Sequence, residues 1–439
     1  MLKIYNSLTS KIEQFIPINS RHINMYVCGP TVYGSIHVGN ARPIIFFDMV
    51  RRYLEVLGYK VTYVSNITDL DDKVINEAIK YGVDEAVIAN KYIEEYFQVT
   101  KMIGSKKPTI SPLATNYIAE MILYINNLIQ NDYAYEKNGN VYFRVNKVKT
   151  YGQLSNQTLE HLEEGARIEV DSLKENPKDF NLWKKTEIGI KYDSPWGKGR
   201  PGWHTECAVM NHEIFNGTID IHGGGFDLKF PHHENERAQA CAHNQSELAN
   251  YWLHVGRLDL DKAKMSKSLG NVVLVKDLVK EYDLLGFRLL ILAHHYRQPI
   301  NFSLNLLAEY SNIMIKIRRS LKLAMIKLDL NNETLGETLE NETLKDFKEK
   351  MDNDFDTPNI VSLIYELEKR INKESELEKL KMLINTLMMI LEIIGLDFEI
   401  EKINPSDKKI YLDWQEARNQ KNYELADKLR QALIDKGLV

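Results

Sequence analysis

The stretch from Ile23 to Ile67 limits the fold more than any other part of this chain. Ile23 to Cys28 (I-N-M-Y-V-C) is an apolar run with strand character, and Gly29-Pro30-Thr31 breaks it. From Ile44 to Leu57 the residues Ile45, Met49, Val50, Tyr53, Leu54 and Leu57 recur at helical spacing, with Gly58 where a helix would end. Val61 to Ile67 then reads as a second strand. Strand, glycine-bearing turn, helix and strand make a βαβ unit, which commits the chain to a parallel sheet covered by helices. Such sheets bind ligands at the carboxyl ends of their strands. The first place to do so is the turn after Cys28.

That turn carries Thr31-Val-Tyr33-Gly-Ser-Ile-His37-Val-Gly39-Asn40. The N-terminus of the helix behind it offers N–H groups and a positive dipole end to phosphate. Gly39 lets a flat base approach the backbone. His37 and Asn40 can donate to phosphate oxygens where charge builds up in a transition state. Alone, H-x-G-N is an ordinary polar turn. It gains weight from Lys264-Met265-Ser266-Lys267-Ser268, followed by Leu-Gly-Asn271. Two lysines three apart, among hydroxyl residues and a glycine, suit a loop that clamps a triphosphate, because an ammonium is a compact charge able to follow moving phosphates. A third element, Gly223-Gly224-Gly225-Phe226-Asp227-Leu228, follows the strand-like Ile219 to His222. Its glycines permit close backbone approach to a ligand, or a tight bend. Asp227 can accept from a ribose hydroxyl or an ammonium group.

The glycines run into Pro231-His232-His233-Glu234-Asn235-Glu236. Pro231 fits the first position of a helix, where a missing N–H costs nothing. A helix from there sets His232 and Glu236 one turn apart on one face, which is half of a zinc site. The chain has three cysteines, Cys28, Cys207 and Cys241. Read singly, each is a small buried hydrophobe. Beside the nucleotide motifs, Cys28 and Cys207 complete a soft and borderline set for Zn²⁺ with His232 and Glu236. Spacing alone does not separate His232 from His233, but the i,i+4 relation to Glu236 favours His232. An odd, sparse cysteine count argues against a disulfide framework and for a reducing compartment.

At 439 residues the chain is long enough for roughly three domains. A net charge of −5 neither supports nor excludes RNA, since only one face need be positive. The N-terminus has no long apolar run, so no secretory signal is visible. The most apolar run, Leu387 to Leu396, is interrupted by Glu392 and falls short of the ~20 residues a bilayer needs. It reads as a buried bundle helix, and a cytoplasmic protein with no membrane partner is expected. The rhythm of the sheet is interrupted over 113–194, between sheet-forming halves at 1–112 and 195–257. Beyond about Asn305, positions such as Leu363, Leu367 and Ile371, or Leu380, Leu383 and Leu387, follow the 3.6 period of a helical bundle to residue 401.

With these residues assembled, the chain resembles the class I aminoacyl-tRNA synthetases. His37-Val-Gly39-Asn40 is similar to their HIGH signature, and Lys264 to Ser268 is a full KMSKS. Within that class, Cys28-Gly-Pro-Thr-Val-Tyr33, Pro201-Gly-Trp-His-Thr-Glu-Cys207 and Gly223 to Glu236 resemble the cysteinyl-tRNA synthetase family, over nearly the whole chain. The resemblance implies an α/β fold: a Rossmann-like parallel-sheet catalytic domain with an insertion, a KMSKS and stem-contact region at 258–304, an α-helical bundle at 305–401 and a small anticodon-binding element at 402–439. It implies that L-cysteine and ATP give cysteinyl-adenylate, and that the cysteinyl group passes to the 3′-terminal adenosine of tRNA(Cys).

In that reading His37, Asn40, Lys264 and Lys267 are catalytic. Thr31, His37, Gly39, Asn40, Gly225, Asp227 and Lys267 bind ATP with Mg²⁺. Gly29, Thr68 and Trp203 surround the cysteine. One Zn²⁺ per chain, on Cys28, Cys207, His232 and Glu236, selects the substrate thiol, so that no editing domain is needed. A monomer is expected, and Trp414 with Arg418, Lys421, Lys428 and Arg430 would meet the anticodon loop. Two departures stand out. Asn40 replaces a histidine common in the class and cannot be cationic, and the family usually continues beyond the position of Val439. Two rival functions share parts of the pattern: a ligase joining activated cysteine to an aminosugar amine, and a non-catalytic zinc protein that binds nucleotide or RNA. The long helical region speaks against the first and the intact lysine motif against the second.

Overall fold

The computed structural model describes residues 1–157, 172–260, 263–264, 272–400 and 403–438. It divides into two units, Met1–Lys280 with Tyr296–Phe302, and Glu281–His295 with Ser303–Val439. The first unit is built on four parallel strands: β1 (His22–Val27), β2 (Lys60–Ser65), β3 (Ile219–Gly225) and β4 (Ala249–Val255), in the order β4-β3-β1-β2. Both faces are covered, so the strands are apolar almost throughout, with Met25, Tyr26, Ile221, Trp252 and Leu253 all buried. The expected βαβ unit is present. Its helix α1 (Val38–Val56) starts six residues earlier than the apolar period suggests, because His37 caps it. The Nδ1 of His37 accepts from the backbone N–H of Gly39, and Asn40 Oδ1 accepts from the N–H of His37. This is a capping box made by unusual residue types.

Between β2 and β3 the chain forms a second, antiparallel sheet from Ala134–Lys137, Asn140–Phe143, Phe180–Lys185 and Gly199–Pro201, beside the helix Ile118–Gln130. Strands this short carry too few residues to show a period. A third small sheet joins Leu258–Leu260 to Ala263–Lys264 and to Ile300–Phe302. Helices α2 (Trp203–Phe215) and α3 (Glu234–Asn244) precede and follow β3 in the chain and pack against each other.

One local expectation needs correction. Gly223, Gly224 and Gly225 are the end of β3, paired with Leu253, His254 and Val255, and do not form a bend beyond it. A Cβ on Gly223 would lie 2.1 Å from the Phe47 ring, so the absent side chain makes room for α1. Pro231 stands where the sequence places it: Phe230 before it is extended (φ −140°, ψ 134°), as a helix cap is, and the chain runs from Pro231 through a π-type turn into α3 (Glu234–Asn244).

The second unit is helical. Its main core packs Leu304–Leu330, Thr357–Lys373 and Leu377–Ile393, with the periodic Leu363, Leu367, Ile371, Leu380, Leu383 and Leu387 all buried. The helix pair Pro405–Asn419 and Tyr423–Asp435 forms a separate small core of Trp414, Ala417, Ala426 and Leu433 against Ile326. Trp414 is thus a core residue covered by Arg418, and its ring is not presented for base stacking. Among the described residues no helix is long and apolar enough to cross a membrane.

Candidate functional site: a metal pocket beside an open cleft

Sheet geometry delivers the first ligand. Cys28 follows the last residue of β1, and its N–H donates to the carbonyl of Gly223 on the neighbouring strand (3.1 Å). Cys207 is the fifth residue of α2 and is fully buried. His232 and Glu236 come from the turn before α3 and from its first turn, and both are buried. One ligand atom from each of the four lies within 4.8 Å of every other. Sγ of Cys28 is 3.8 Å from Sγ of Cys207 and 3.3 Å from Oε1 of Glu236, and Nε2 of His232 is 3.0 Å from the same Oε1. The edges of a tetrahedron around zinc, with bonds of about 2.0–2.3 Å, are roughly 3.3–3.8 Å. The donor set therefore fits the ion with only small closing movements.

The neighbours of the four tune them. Burial would raise the Cys207 thiol, but hydrogen bonds from Cys28 and His232 outweigh it and bring the thiol down to about 6. Burial pushes Glu236 up, and the charges of His232 and His222 reverse that and hold it well below the carboxylate range. Nδ1 of His232 lies 2.9 Å from Nδ1 of His204. If Nε2 is the ligating nitrogen, the proton sits on Nδ1 and His204 accepts it. Burial, followed by the charge on His232, depresses His204 to about 3, which keeps it a neutral acceptor. On the open side Trp203 stacks on His232 with ring centroids 4.1 Å apart and remains 40% exposed, so it is a wall of the site and not a core tryptophan.

A second set overlaps the first: Cys28, His222, His233 and Glu236. Nε2 of His222 is 3.2 Å from Oε2 of Glu236, while Nδ1 of His233 pairs with His254 (2.9 Å), which in turn meets Ser7 (2.8 Å). The structure thus separates the adjacent histidines. His232 belongs to the two-sulfur set and His233 to the imidazole-rich one.

The cleft above the metal pocket holds about 320 Å³ and shares Cys28 with it. Gly29, Thr31, His37, Gly39, Asn40, Trp203, Gly225 and Asp227 all line it. Gly29 has to be glycine, since a Cβ there would overlap the carbonyl oxygen of Asn66 at 1.7 Å. Thr68 is placed differently. It is buried, its hydroxyl donates to Glu206 (3.1 Å), and its backbone holds the turn through Pro30 and Val32. Burial raises the Glu206 carboxyl well above the usual range. Past the lysine motif the chain returns to the signature turn: the N–H of Val38 donates to Val273, and that of Val275 to Ile36 (2.9 and 3.1 Å). The backbone of Lys264 belongs to the strand Ala263–Lys264, while Lys267 lies outside the described residues.

A family model described as the class I (C) tRNA synthetase catalytic domain matches residues 14–312, and a DALR domain model matches residues 346–399. The chain is 51% identical to a cysteine–tRNA ligase of Acholeplasma laidlawii (strain PG-8A), over the whole of both chains. The chain belongs to the cysteine–tRNA ligase family. It is also 46% identical to the cysteine–tRNA ligase of Onion yellows phytoplasma (strain OY-M), again over all of both. Among solved structures, a putative arginyl-tRNA synthetase from Campylobacter jejuni matches with a TM-score of 0.61 at 13% identity, covering 88% of this chain and 94% of that one. Methionyl-tRNA synthetase of Mycobacterium tuberculosis, bound to methionyl-adenylate, gives 0.60 at 12%, covering 85% and 89%. Those two share the fold alone.

For a cysteine–tRNA ligase, the residues that sequence reading missed are His204, His222 and Glu206, all behind the ligands and the cleft lining, while His233, weighed against His232, falls in the second set. His204 and Glu206 flank Thr205 in the Cys207 motif, and His222 directly precedes the three glycines within β3. Position beside a motif was the only available signal. In the C-terminal helix pair the exposed aromatic is Tyr423, 69% exposed, with Arg418, Lys421, Lys428 and Arg430 also exposed.

Proposed function

We propose that this cysteine–tRNA ligase selects its amino acid with a zinc ion on Cys28, Cys207, His232 and Glu236, and activates it in the adjoining cleft. The observation that carries the reading is the convergence of those four side chains beside a cleft that shares Cys28 with them and is lined by His37, Gly39 and Asn40. Bound there, zinc supplies a soft Lewis acid that favours a thiolate over a hydroxyl. Packing alone discriminates such small differences by only about 1–3 kcal/mol.

The remaining work falls to the chain's own groups. Trp203 closes the side of the pocket, Gly29 and the Thr68-braced turn border the amino acid, and Asp227 accepts from an ammonium or ribose hydroxyl. Because Nδ1 of His37 accepts from Gly39, the neutral ring carries its proton on Nε2. Asn40 commits Oδ1 to the backbone, which leaves its amide N–H groups as donors. Both donors serve the α-phosphate as cysteine's carboxylate displaces pyrophosphate. Lys264 and Lys267 neutralise the leaving group, and Mg²⁺ accompanies ATP. Thr31, Gly39 and Gly225 shape the nucleotide's seat. Both pockets are completed by one chain, consistent with a monomer holding one ion. Exposed Tyr423 and its basic neighbours read the anticodon loop of tRNA(Cys).

Cysteine-dependent ATP–pyrophosphate exchange, followed by charging of transcribed tRNA(Cys), tests the reading. Exchange with cysteine and not serine is expected, and exchange with neither would refute it.

A further inference from the structure

The cleft has two walls. One is the start of α1, through Gly39, Asn40, Pro43 and Ile44. The other is the segment from Val255 to Asp259, which leads into the strands that carry Lys264. Arg42 lies on α1 among the residues of the first wall, yet it is only 1% exposed and does not line the cleft. Its guanidinium runs behind the cleft to the second wall. Nη1 donates to the carbonyls of Gly256 (2.8 Å) and Arg257 (2.7 Å), and Nη2 to those of Gln298 (2.6 Å) and Tyr296 (3.3 Å). The same backbone is drawn tight there. The N–H of Gly256 donates to Tyr296 (2.7 Å), that of Ile300 to Arg257 (2.9 Å), and a Cβ on Gly256 would lie 2.6 Å from the carbonyl oxygen of Gln298.

Four carbonyl dipoles pointing at one buried spot repel one another unless a cation with several N–H directions fills it. A planar guanidinium does this. Burial lowers Arg42 to about 10, the charge of Asp259 acting against it, so the group stays protonated at neutral pH. Removing it would take away the side-chain ties between α1 and the carbonyls behind the second wall, which beyond Val255 is no longer held by the pairing of β4 with β3.

We infer that Arg42 is a positioning residue for ATP: its four-carbonyl clasp fixes the width of the nucleotide cleft by tying the signature helix to the strand that enters the lysine motif. The inference rests on the reading of this cleft as the nucleotide site. It is separate from the metal pocket, which Arg42 does not touch.

The test uses the full-length, zinc-loaded protein as wild type, Arg42→Lys and Arg42→Ala, in cysteine-dependent ATP–pyrophosphate exchange. Failure of the wild type to exchange would refute the assignment of the cleft and not the clasp. With the wild type active, both variants are expected to raise KM for ATP by about 10- to 100-fold. KM for cysteine and zinc content should stay at wild-type values. Lysine, a single point charge, should rescue poorly, whereas millimolar guanidinium added to Arg42→Ala should recover part of the ATP affinity. An unchanged KM for ATP would overturn the inference. So would parallel loss of ATP affinity, cysteine affinity and zinc with no recovery on adding guanidinium, which would make Arg42 a general scaffold residue.

Discussion

The metal pocket and the nucleotide cleft meet at Cys28, yet they are built on opposite plans. In the pocket Cys207, His232 and Glu236 are almost wholly buried, Cys28 is half-buried where it meets the cleft, and further side chains hold them: His204 behind His232, and His222 behind Glu236. In the cleft much of the framework is backbone: helix N–H groups, a glycine turn, and strands tied by Arg42. Its lining is largely half-exposed. Under the proposed function the contrast follows from the two tasks. Telling sulfur from oxygen needs a fixed, dry arrangement, while a triphosphate has to enter and pyrophosphate has to leave.

Treatments that strike one region and spare the other test that division. Stripping the ion with a chelator should have the largest effect, a loss of about 10³-fold or more in cysteine activation, with ATP binding retained in equilibrium dialysis. Loss of both together would show that pocket and cleft are one structural device. His37→Ala should act in the opposite sense, lowering kcat for exchange by about 10²- to 10³-fold with zinc content and cysteine KM unchanged. His204→Ala should weaken zinc about 10- to 100-fold in a chelator competition and leave KM for ATP alone.

The smallest effect belongs to a control in the helical unit, where Arg370 holds Glu340 in a two-pronged contact (2.5 and 2.8 Å). Hydrogen bonding to Arg370 depresses the Glu340 pKa below its ordinary value. A depressed folded pKa stabilises above the unfolded pKa and is lost as pH falls through the folded one. Glu340→Gln should therefore cost about 0.2–1 kcal/mol in urea unfolding near neutral pH, and the difference should vanish in acid below the usual glutamate range. Neither exchange nor zinc content should move.

The two regions also differed in how far the sequence exposed them. The metal set was legible because chemically rare residues, Cys28, Cys207 and the His232/Glu236 pair, sit inside motifs. Its supporting layer was not, because His222 and His204 touch the site only through tertiary packing that brings β3 and α2 to α3. The start of α1 was hidden for a local reason. Histidine and asparagine seldom form a capping box, and apolar spacing begins only after the helix has turned once. The glycines of β3 suggested a ligand contact, and two of the three instead accommodate Phe47 and the His233 ring. Pro231 suggested a helix start, and the extended Phe230 before it marks that start. Long periodic segments, such as the bundle helices around Leu367 and Leu383, were plain from spacing alone.

Two cysteines, a histidine and a glutamate, as proposed, hold an ion that distinguishes a thiol from a hydroxyl. That assignment is tested most directly by the ratio of kcat/KM for cysteine over serine in pyrophosphate exchange, comparing wild type with Cys207→Ser at measured zinc content. The ratio should collapse toward the roughly 10- to 200-fold that packing alone provides. A ratio that stays at the wild-type value would contradict it.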